Sequence, residues 1–211
     1  MTITIVDHEL PFLSHDLYDV TFFNDEIETL VTHTPSMVGS WIANVEHINR
    51  RRLNRLVVGL DVEWRPNFIR GVQNPAATLQ LCVGRCCLIF QLLYAPRMPR
   101  SLKNFLSDSD YTFVGVGICS DVEKLWDGYG LEVANAVDLG CSAARQLGMR
   151  KLHRAGLKDL AREILEKDVE KPRSVTLSNW DQAWLSKAQV AYACVDAYLS
   201  YKIGRALMAG N

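Results

Sequence analysis

The chain has 211 residues, with 48 % hydrophobic and 22 % charged side chains, so it is long enough for one domain with a sizeable core. The formal net charge of -1 excludes the strongly basic class of tight, non-specific nucleic-acid binders. The six cysteines include no CxxC pair and the five histidines are scattered, so a zinc site is not expected. Most of the cysteines lie in apolar runs, and we expect buried, reduced thiols.

The N-terminal residues lack a basic region followed by an apolar stretch, and no apolar run reaches the length of a membrane span. We therefore expect a protein of the cytoplasm, with the nucleus as the alternative, and no membrane partner.

The first quarter of the chain alternates apolar and polar residues and then changes to helical spacing. The alternation predicts strands at 2–6 and within 18–32, the latter a hairpin that turns at Asn24-Asp25. A helix is predicted at 35–50, capped by Thr34 or Ser36. The arginines at 50–52 are typical of a solvated helix end, and a phosphate contact is the alternative interpretation.

The run RLVVGLDVEW at 55–64 is apolar enough to predict a central strand that is buried on both faces. Two further strands, 77–84 and 86–92, would turn at Gly84-Arg85. The remaining predicted elements are a helix at 101–107, a strand at 113–118, a helix from Asp121, a strand at 135–139, and helices at 140–148, 156–167 and 185–208. This order predicts one α/β domain with a mixed central sheet flanked by helices.

Acidic residues at predicted strand and helix ends are the main chemical signal. Asp-x-Glu occurs four times, but only Asp61 and Glu63 end a strongly apolar strand, where alternate residues share one face. A surface pair at a strand end is the alternative. Asp121 follows the strand at 113–118 and opens a helix, where it would either stabilise the helix start as an N-cap or first-turn residue or face a ligand.

Tyr192 and Asp196 form the chain's one Tyr-x-x-x-Asp and share a face of the last predicted helix. A structural Tyr–Asp hydrogen bond is the alternative interpretation. Four carboxylates that converge on one point repel each other unless cations are bound. Together the acids therefore predict a divalent-metal site.

A glycine pattern at Gly115 and Gly117 partly resembles a dinucleotide-binding loop, but Ser120 stands where the third glycine is expected. Glycines that allow close helix–sheet packing are the favoured interpretation. A nucleotide-binding oxidoreductase is the alternative that this pattern leaves open.

Taken together, the motifs LDVEW (Asp61, Glu63), VGVGICSD (Asp121) and YACVD (Tyr192, Asp196) resemble those of the DEDDy branch of the DnaQ-like 3′–5′ exonucleases. The runs ATLQLCV, VDLG, GLKDLAREILEK and SNWDQAWLS are similar to the Werner-type subgroup. The resemblance covers about residues 55–208 and is greatest to the small plant RISC-interacting clearing exoribonucleases. Residues 1–54 would supply additional packing or an oligomer contact, and the fold implied is RNase H-like.

The resemblance implies two divalent cations, Mg²⁺ or Mn²⁺, that clamp the scissile phosphate. Asp61 would contact both cations, Glu63 and Asp196 the one with the attacking water, and Asp121 the one near the leaving oxygen. Tyr192 would orient the water. The products would be nucleoside 5′-monophosphates released from a 3′-hydroxyl end.

The loop at 64–75 would receive the 3′-terminal nucleotide, with Trp64 or Phe68 stacking on a base and Arg65 or Arg70 meeting phosphate. Ordinary packing is the alternative for both aromatic residues. A basic stretch could guide the strand, and it comprises Arg145, Arg150, Lys151, His153, Arg154 and Lys158.

The resemblance further implies single-stranded RNA as substrate, a role in small-RNA clearance, Argonaute partners and a ring-shaped homohexamer. A Werner-like DNA exonuclease is the nearest alternative. A catalytically silent interaction module on the same fold is the alternative from another class of protein.

Overall fold

The computed structural model describes residues 3–11, 13–67 and 73–209. Across these residues the chain builds one mixed sheet flanked by helices, as predicted. The eight strands are β1 (Thr4–Asp7), β2 (His15–Phe22), β3 (Asp25–Thr32), β4 (Val57–Glu63), β5 (Thr78–Val83), β6 (Cys86–Gln91), β7 (Thr112–Gly115) and β8 (Ala136–Asp138). The helices are α1 (Pro35–Asn49), α2 (Arg100–Ser107), α3 (Ile118–Tyr129), α4 (Leu139–Leu147), α5 (Leu157–Leu165), α6 (Arg173–Thr176) and α7 (Lys187–Ala209).

The strands lie in the order β1-β2-β3-β6-β5-β4-β7-β8. The strands β4, β5 and β6 pair antiparallel, whereas β7 and β8 continue the sheet parallel to β4. The N-terminal strands form an antiparallel extension that joins β6 through a parallel β3–β6 pair. Strand β4 therefore lies between β5 and β7, well inside the sheet.

The two faces of the sheet carry separate apolar clusters. Val57 on β4 packs with α4, α5 and α7 on one face. Val58, Leu60 and Val62, which alternate with it, pack with α1, α2 and α3 on the other face. This burial on both faces confirms β4 as a central strand, and it directs Asp61 and Glu63 toward the α7 face.

A close approach of α7 to β4 depends on glycine. A Cβ atom on Gly59 would lie 2.0 Å from the carbonyl oxygen of Ala197 and 2.7 Å from the backbone nitrogen of Tyr201. Because backbone atoms cannot move aside easily, only glycine allows this contact. A Cβ on Gly115 would meet the carbonyl oxygen of Leu60 on the neighbouring strand β4 at 2.6 Å, so this glycine allows a close strand–strand contact rather than the helix–sheet packing expected of it.

The N-terminal hairpin turns one residue earlier than predicted. Phe22 pairs with Asp25, so the two-residue turn is Phe23-Asn24, and Phe23 has a φ of 55°. Asp25 is held in the strand because its carboxylate contacts Arg85 at 3.1 Å and Lys167 at 3.8 Å. The predicted turn at Asn24-Asp25 is therefore wrong by one position.

The third helix begins three residues before the predicted start. Gly117, with a φ of 69°, is the N-cap position of α3, so Asp121 lies in the first turn rather than at the cap. The backbone N–H of Gly117 donates to Asp138 Oδ2 at 2.8 Å, and that of Cys141 donates to Asp138 Oδ1 at 2.8 Å. Asp138 thus joins the starts of α3 and α4.

The cysteines are only partly as expected. All six are free, and Cys82, Cys87 and Cys194 are buried. Cys119 and Cys141 are exposed, because both lie in the first turns of helices α3 and α4 at the surface. No helix in the described part of the chain combines the length and the apolar character that crossing a membrane would require.

Candidate active site

Strand β4 and helix α7 bring three of the predicted acids together. Asp61 and Glu63 lie two apart on β4, and Asp196 faces them from α7. One carboxylate oxygen from each lies within 4.8 Å of those of the other two. Residues that are 135 positions apart in sequence therefore form one acidic group, as the strand and helix patterns predicted.

Asp121 reaches the same region from α3 but is not a member of this group of three. It is buried, and its charge raises the pKa of both Asp61 and Glu63. The structure therefore places Asp121 beside the three clustered acids, with α3 supplying it from the opposite face of the sheet.

Each of the four carboxyl groups has a pKa above its usual value. Burial is the main cause for Asp61, with the charges of Asp196, Glu63 and Asp121 adding to it. Burial, with the charge of Asp196, raises the pKa of Glu63 to about 8. Burial also raises the pKa of Asp121 to about 7 and raises that of Asp196. Burial and mutual repulsion thus oppose full ionisation of the group.

One cation from the chain itself enters the acidic group. The Lys171 ammonium lies 2.6 Å from Asp196 Oδ2 and 5.2 Å from the centre of the Tyr192 ring. Burial alone would lower the pKa of Lys171, but the charge of Asp196 and the hydrogen bond to it raise it above its usual range. Lys171 was not among the predicted site residues, because it lies between helices in a segment without periodic structure.

The donor set fits a divalent cation. Asp61 Oδ2 is buried and has no hydrogen-bond partner among the described residues. A buried, unpaired carboxylate oxygen is costly, and coordination of a cation would remove that cost. Carboxylate oxygens are the ligands preferred by Mg²⁺ and Mn²⁺. The residues present therefore indicate use of a divalent metal.

Tyr192 is held on the buried face of α7. Its ring centre lies 5.9 Å from that of the buried Trp180. Burial, with the nearby charge of Asp196, raises the pKa of Tyr192 to about 12. The phenol therefore stays protonated near neutral pH, where it can donate or accept a hydrogen bond but cannot act as a base.

The predicted substrate contacts are placed only in part. Trp64 packs against the core, with the Lys124 ammonium 4.6 Å from its ring centre. Arg65 is exposed and pairs with Asp181 at 3.2 Å. Phe68 and Arg70 lie outside the described residues. These four contacts stay predictions.

Five of the six residues in the basic stretch line one cleft of about 570 Å³, together with Cys141 and Ala144; they are Arg145, Arg150, Lys151, His153 and Arg154. Lys151 is paired with Glu163 at 3.2 Å. The His153 ring lies 3.6 Å from the sulfur of Cys141. The stretch therefore forms a surface, as a strand-guiding role would require, and the role itself stays a prediction.

A mixed sheet with clustered carboxylates at its centre defines the DnaQ-like class of RNase H-like hydrolases. The chain belongs to the 3′-5′ exonuclease family, whose pattern matches residues 40–209. The match begins earlier than the predicted limit of 55 and includes helix α1 from residue 40 onward.

Individual relatives agree with this assignment. A 3′-5′ exonuclease of Arabidopsis thaliana is 37 % identical over 152 residues, which are 71 % of this chain and 52 % of that protein. The bifunctional 3′-5′ exonuclease/ATP-dependent helicase WRN of Mus musculus is 32 % identical over 154 residues, 72 % of this chain and 11 % of that protein. The chain thus spans about half, or less, of the length of these relatives.

The fold also matches a solved structure. Escherichia coli RNase D, an exoribonuclease involved in structured RNA processing, superposes with a TM-score of 0.69 at 19 % identity. The match covers 85 % of this chain and 44 % of that one. At this identity the likeness establishes the RNase H-like fold alone.

Proposed function

We propose that this chain is a metal-dependent 3′–5′ exoribonuclease that removes nucleoside 5′-monophosphates from the 3′ end of single-stranded RNA. The observation that carries the proposal is the buried group of Asp61, Glu63 and Asp196, with Asp121 beside it. Family membership supports the reaction type and direction. The intact set of acids argues against a catalytically silent module.

The four carboxylates would hold two divalent cations, Mg²⁺ or Mn²⁺. When bound, such cations supply a lowered pKa for the attacking water and charge neutralisation at the phosphate. The charges of all three other acids raise the pKa of Asp61, which suits the role of a shared ligand. Glu63 and Asp196 would complete one position, and Asp121 the other.

Tyr192 would orient the attacking water. Its phenol is protonated near neutral pH, so it acts through a hydrogen bond and not by removing a proton. Trp180 and the first turns of α7 fix the direction of the ring. Fixed placement of a reacting group is itself worth a large rate factor.

The preference for RNA rests on the resemblance to small plant exoribonucleases, as do the proposed role in small-RNA clearance and the Argonaute partners. Among the described residues, no side chain is identified as one that would bind the 2′-hydroxyl group of RNA. The test is digestion of 5′-labelled RNA and DNA of one sequence, with Mg²⁺ or with chelator. Faster loss of DNA would favour the Werner-like alternative, and no loss of either would contradict the exonuclease proposal.

A homo-oligomer, hexameric by the same resemblance, is proposed for the assembled state. Two exposed apolar side chains support it: Leu13 is 87 % exposed and Trp184 is 71 % exposed. Both line one cleft with Tyr94 and Val31, next to the N-terminal strands that the expected family core does not include. Light scattering that gives the monomer mass of 23.8 kDa at working concentration would contradict this proposal.

A further inference from the structure

A cleft lined by arginine lies at the end of the sheet opposite the acidic group. Its volume is about 880 Å³, and Val57 and Thr112, the first residues of β4 and β7, form its floor. Asp61 and Glu63 come later on β4, near the other end of that strand. The polar residues that line the cleft are Arg51, Arg52, Asn54, Arg55, Thr112 and Arg205.

The cleft has a single sign of charge. It is lined by four arginines from two segments of the chain and by no carboxylate among the described residues. None of these arginines has an ion-pair partner in the described part of the molecule, where the paired arginines are Arg65, Arg85 and Arg162. An unbalanced positive cleft is unexpected on a chain with a net charge of -1.

The positively charged side chains of the cleft indicate the chemistry of its ligand. All charged residues in the cleft are arginines, whose planar guanidinium groups bind phosphate with two parallel hydrogen bonds. Asn54 and Thr112 add neutral donors, which also commonly bind phosphate oxygens. Arg51 and Arg52 also line an adjoining cleft with Arg50, which extends the positive surface.

We propose that the Arg51/Arg52/Arg55/Arg205 cleft is a second nucleic-acid site, which binds backbone phosphates of a single strand whose 3′ end occupies the active site. This inference rests on the proposed nucleic-acid substrate. The cleft would supply the nucleic-acid affinity that the near-neutral net charge of the chain does not provide. Binding of a nucleic acid would then depend on the length of the strand.

The distance between the cleft and the active site determines the shortest strand that can bind at both. From Val57 to Asp61 and Glu63, β4 rises roughly 13–20 Å. From Asp196 to Arg205, α7 rises about 13.5 Å, in agreement. Because a strand must pass around the surface rather than through the sheet, the longer figure is the lower bound. At about 3.4 Å per stacked nucleotide, a strand therefore needs at least about six nucleotides to reach both sites.

The experiment compares the variant Arg52→Gln/Arg55→Gln with the matched control Arg97→Gln/Arg100→Gln, which removes two exposed arginines elsewhere. Binding of 5′-labelled single-stranded RNA of about 20 and about four nucleotides is measured by fluorescence anisotropy in chelator, over a range of salt. Circular dichroism verifies that both variants fold.

We expect the cleft variant to bind the longer RNA about tenfold more weakly at low salt. The slope of the logarithm of the binding constant against the logarithm of the salt concentration should fall in magnitude by about 1.4, because two phosphate contacts are lost. Binding of the short RNA, and its Mg²⁺-dependent degradation, should not change. The control should match the wild type with both strands.

Equal loss of affinity for both strand lengths, or no loss for either, would overturn the second site. Failure of the wild type to degrade the short RNA with Mg²⁺ would instead contradict the proposed function. In that case, a length-dependent loss in chelator would still support nucleic-acid binding in the cleft.

Discussion

The ammonium of Lys171 lies 2.6 Å from Asp196 Oδ2, inside the group of acids that would hold the metal. Lys171 is 29 % exposed and Asp196 is 5 % exposed at the side chain, so this ion pair is largely shielded from water. In the absence of metal, Lys171 therefore supplies part of the positive charge that the acids require.

Replacing Lys171 with Met should destabilise the metal-free protein. Removal of one partner from a largely buried pair leaves an uncompensated carboxylate, and we expect a loss of about 2 kcal/mol in the free energy of unfolding. This corresponds to a fall of roughly 4–8 °C in Tm for a chain of this size. Calorimetry in chelator measures the effect.

The control for this variant is Lys187→Met, which breaks the more exposed pair with Asp7. Surface pairs contribute about 0–1 kcal/mol, so its Tm should change little. Addition of Mn²⁺ should restore most of the Tm lost in Lys171→Met. A Tm for Lys171→Met that equals that of the control in chelator would refute the counter-ion role.

Asp61→Asn should abolish metal-dependent degradation while preserving the fold. The substitution removes a shared ligand of the proposed cations, and we expect activity to fall at least about a hundredfold. In chelator the Tm should rise or stay constant, because a buried charge that is repelled by three neighbours is gone. Unchanged activity would contradict the proposed mechanism.

Stability of the metal-free protein should fall as pH rises. The pKa of Glu63 is raised from 4.5 to about 8, and that of Asp121 from 3.8 to about 7. The folded chain therefore binds more protons than the unfolded chain between these values, so unfolding becomes easier as pH rises through them. The Tm in chelator should decrease from about pH 5 to about pH 8, with each ~1 kcal/mol lowering it by roughly 2–4 °C.

Magnesium should reverse this trend, since cations bind the ionised carboxylates and stabilise the folded state in proportion to their occupancy. The Tm gained with Mg²⁺ should be larger near pH 8 than near pH 5. Glu63→Gln should flatten the pH dependence measured in chelator. A pH-independent Tm in the wild type would count against the raised pKa of this group.

Tyr192→Phe should reduce kcat by about a hundredfold, because the water loses one positioning hydrogen bond. The shape of the pH–rate profile should be retained, since a phenol with a pKa of about 12 does not titrate in the working range. Single-turnover kinetics between about pH 6 and pH 9 provides the measurement. Loss of a rise in rate with pH that the wild type shows would indicate that the phenol acts as a base.

Regular periodicity made much of the site predictable. Asp61 and Glu63 were recognised from strand alternation, and Tyr192 with Asp196 from helical spacing. The sequence places Asp121 at the start of a helix. The helix begins earlier in the structure, because Gly117, with its positive φ, occupies the N-cap position. Lys171 could not be predicted, since only tertiary packing brings its irregular segment to Asp196.

The contact of α7 with β4 at Gly59 has a consequence for cation selectivity. Because this glycine fixes the distance between strand and helix, it also fixes the separation of Asp61 and Glu63 from Asp196. Mg²⁺ demands near-ideal octahedral geometry, whereas larger cations accept more varied arrangements. A core substitution that widens this contact should therefore weaken Mg²⁺ binding before it affects binding of a larger ion, so the choice of metal is determined partly by core packing.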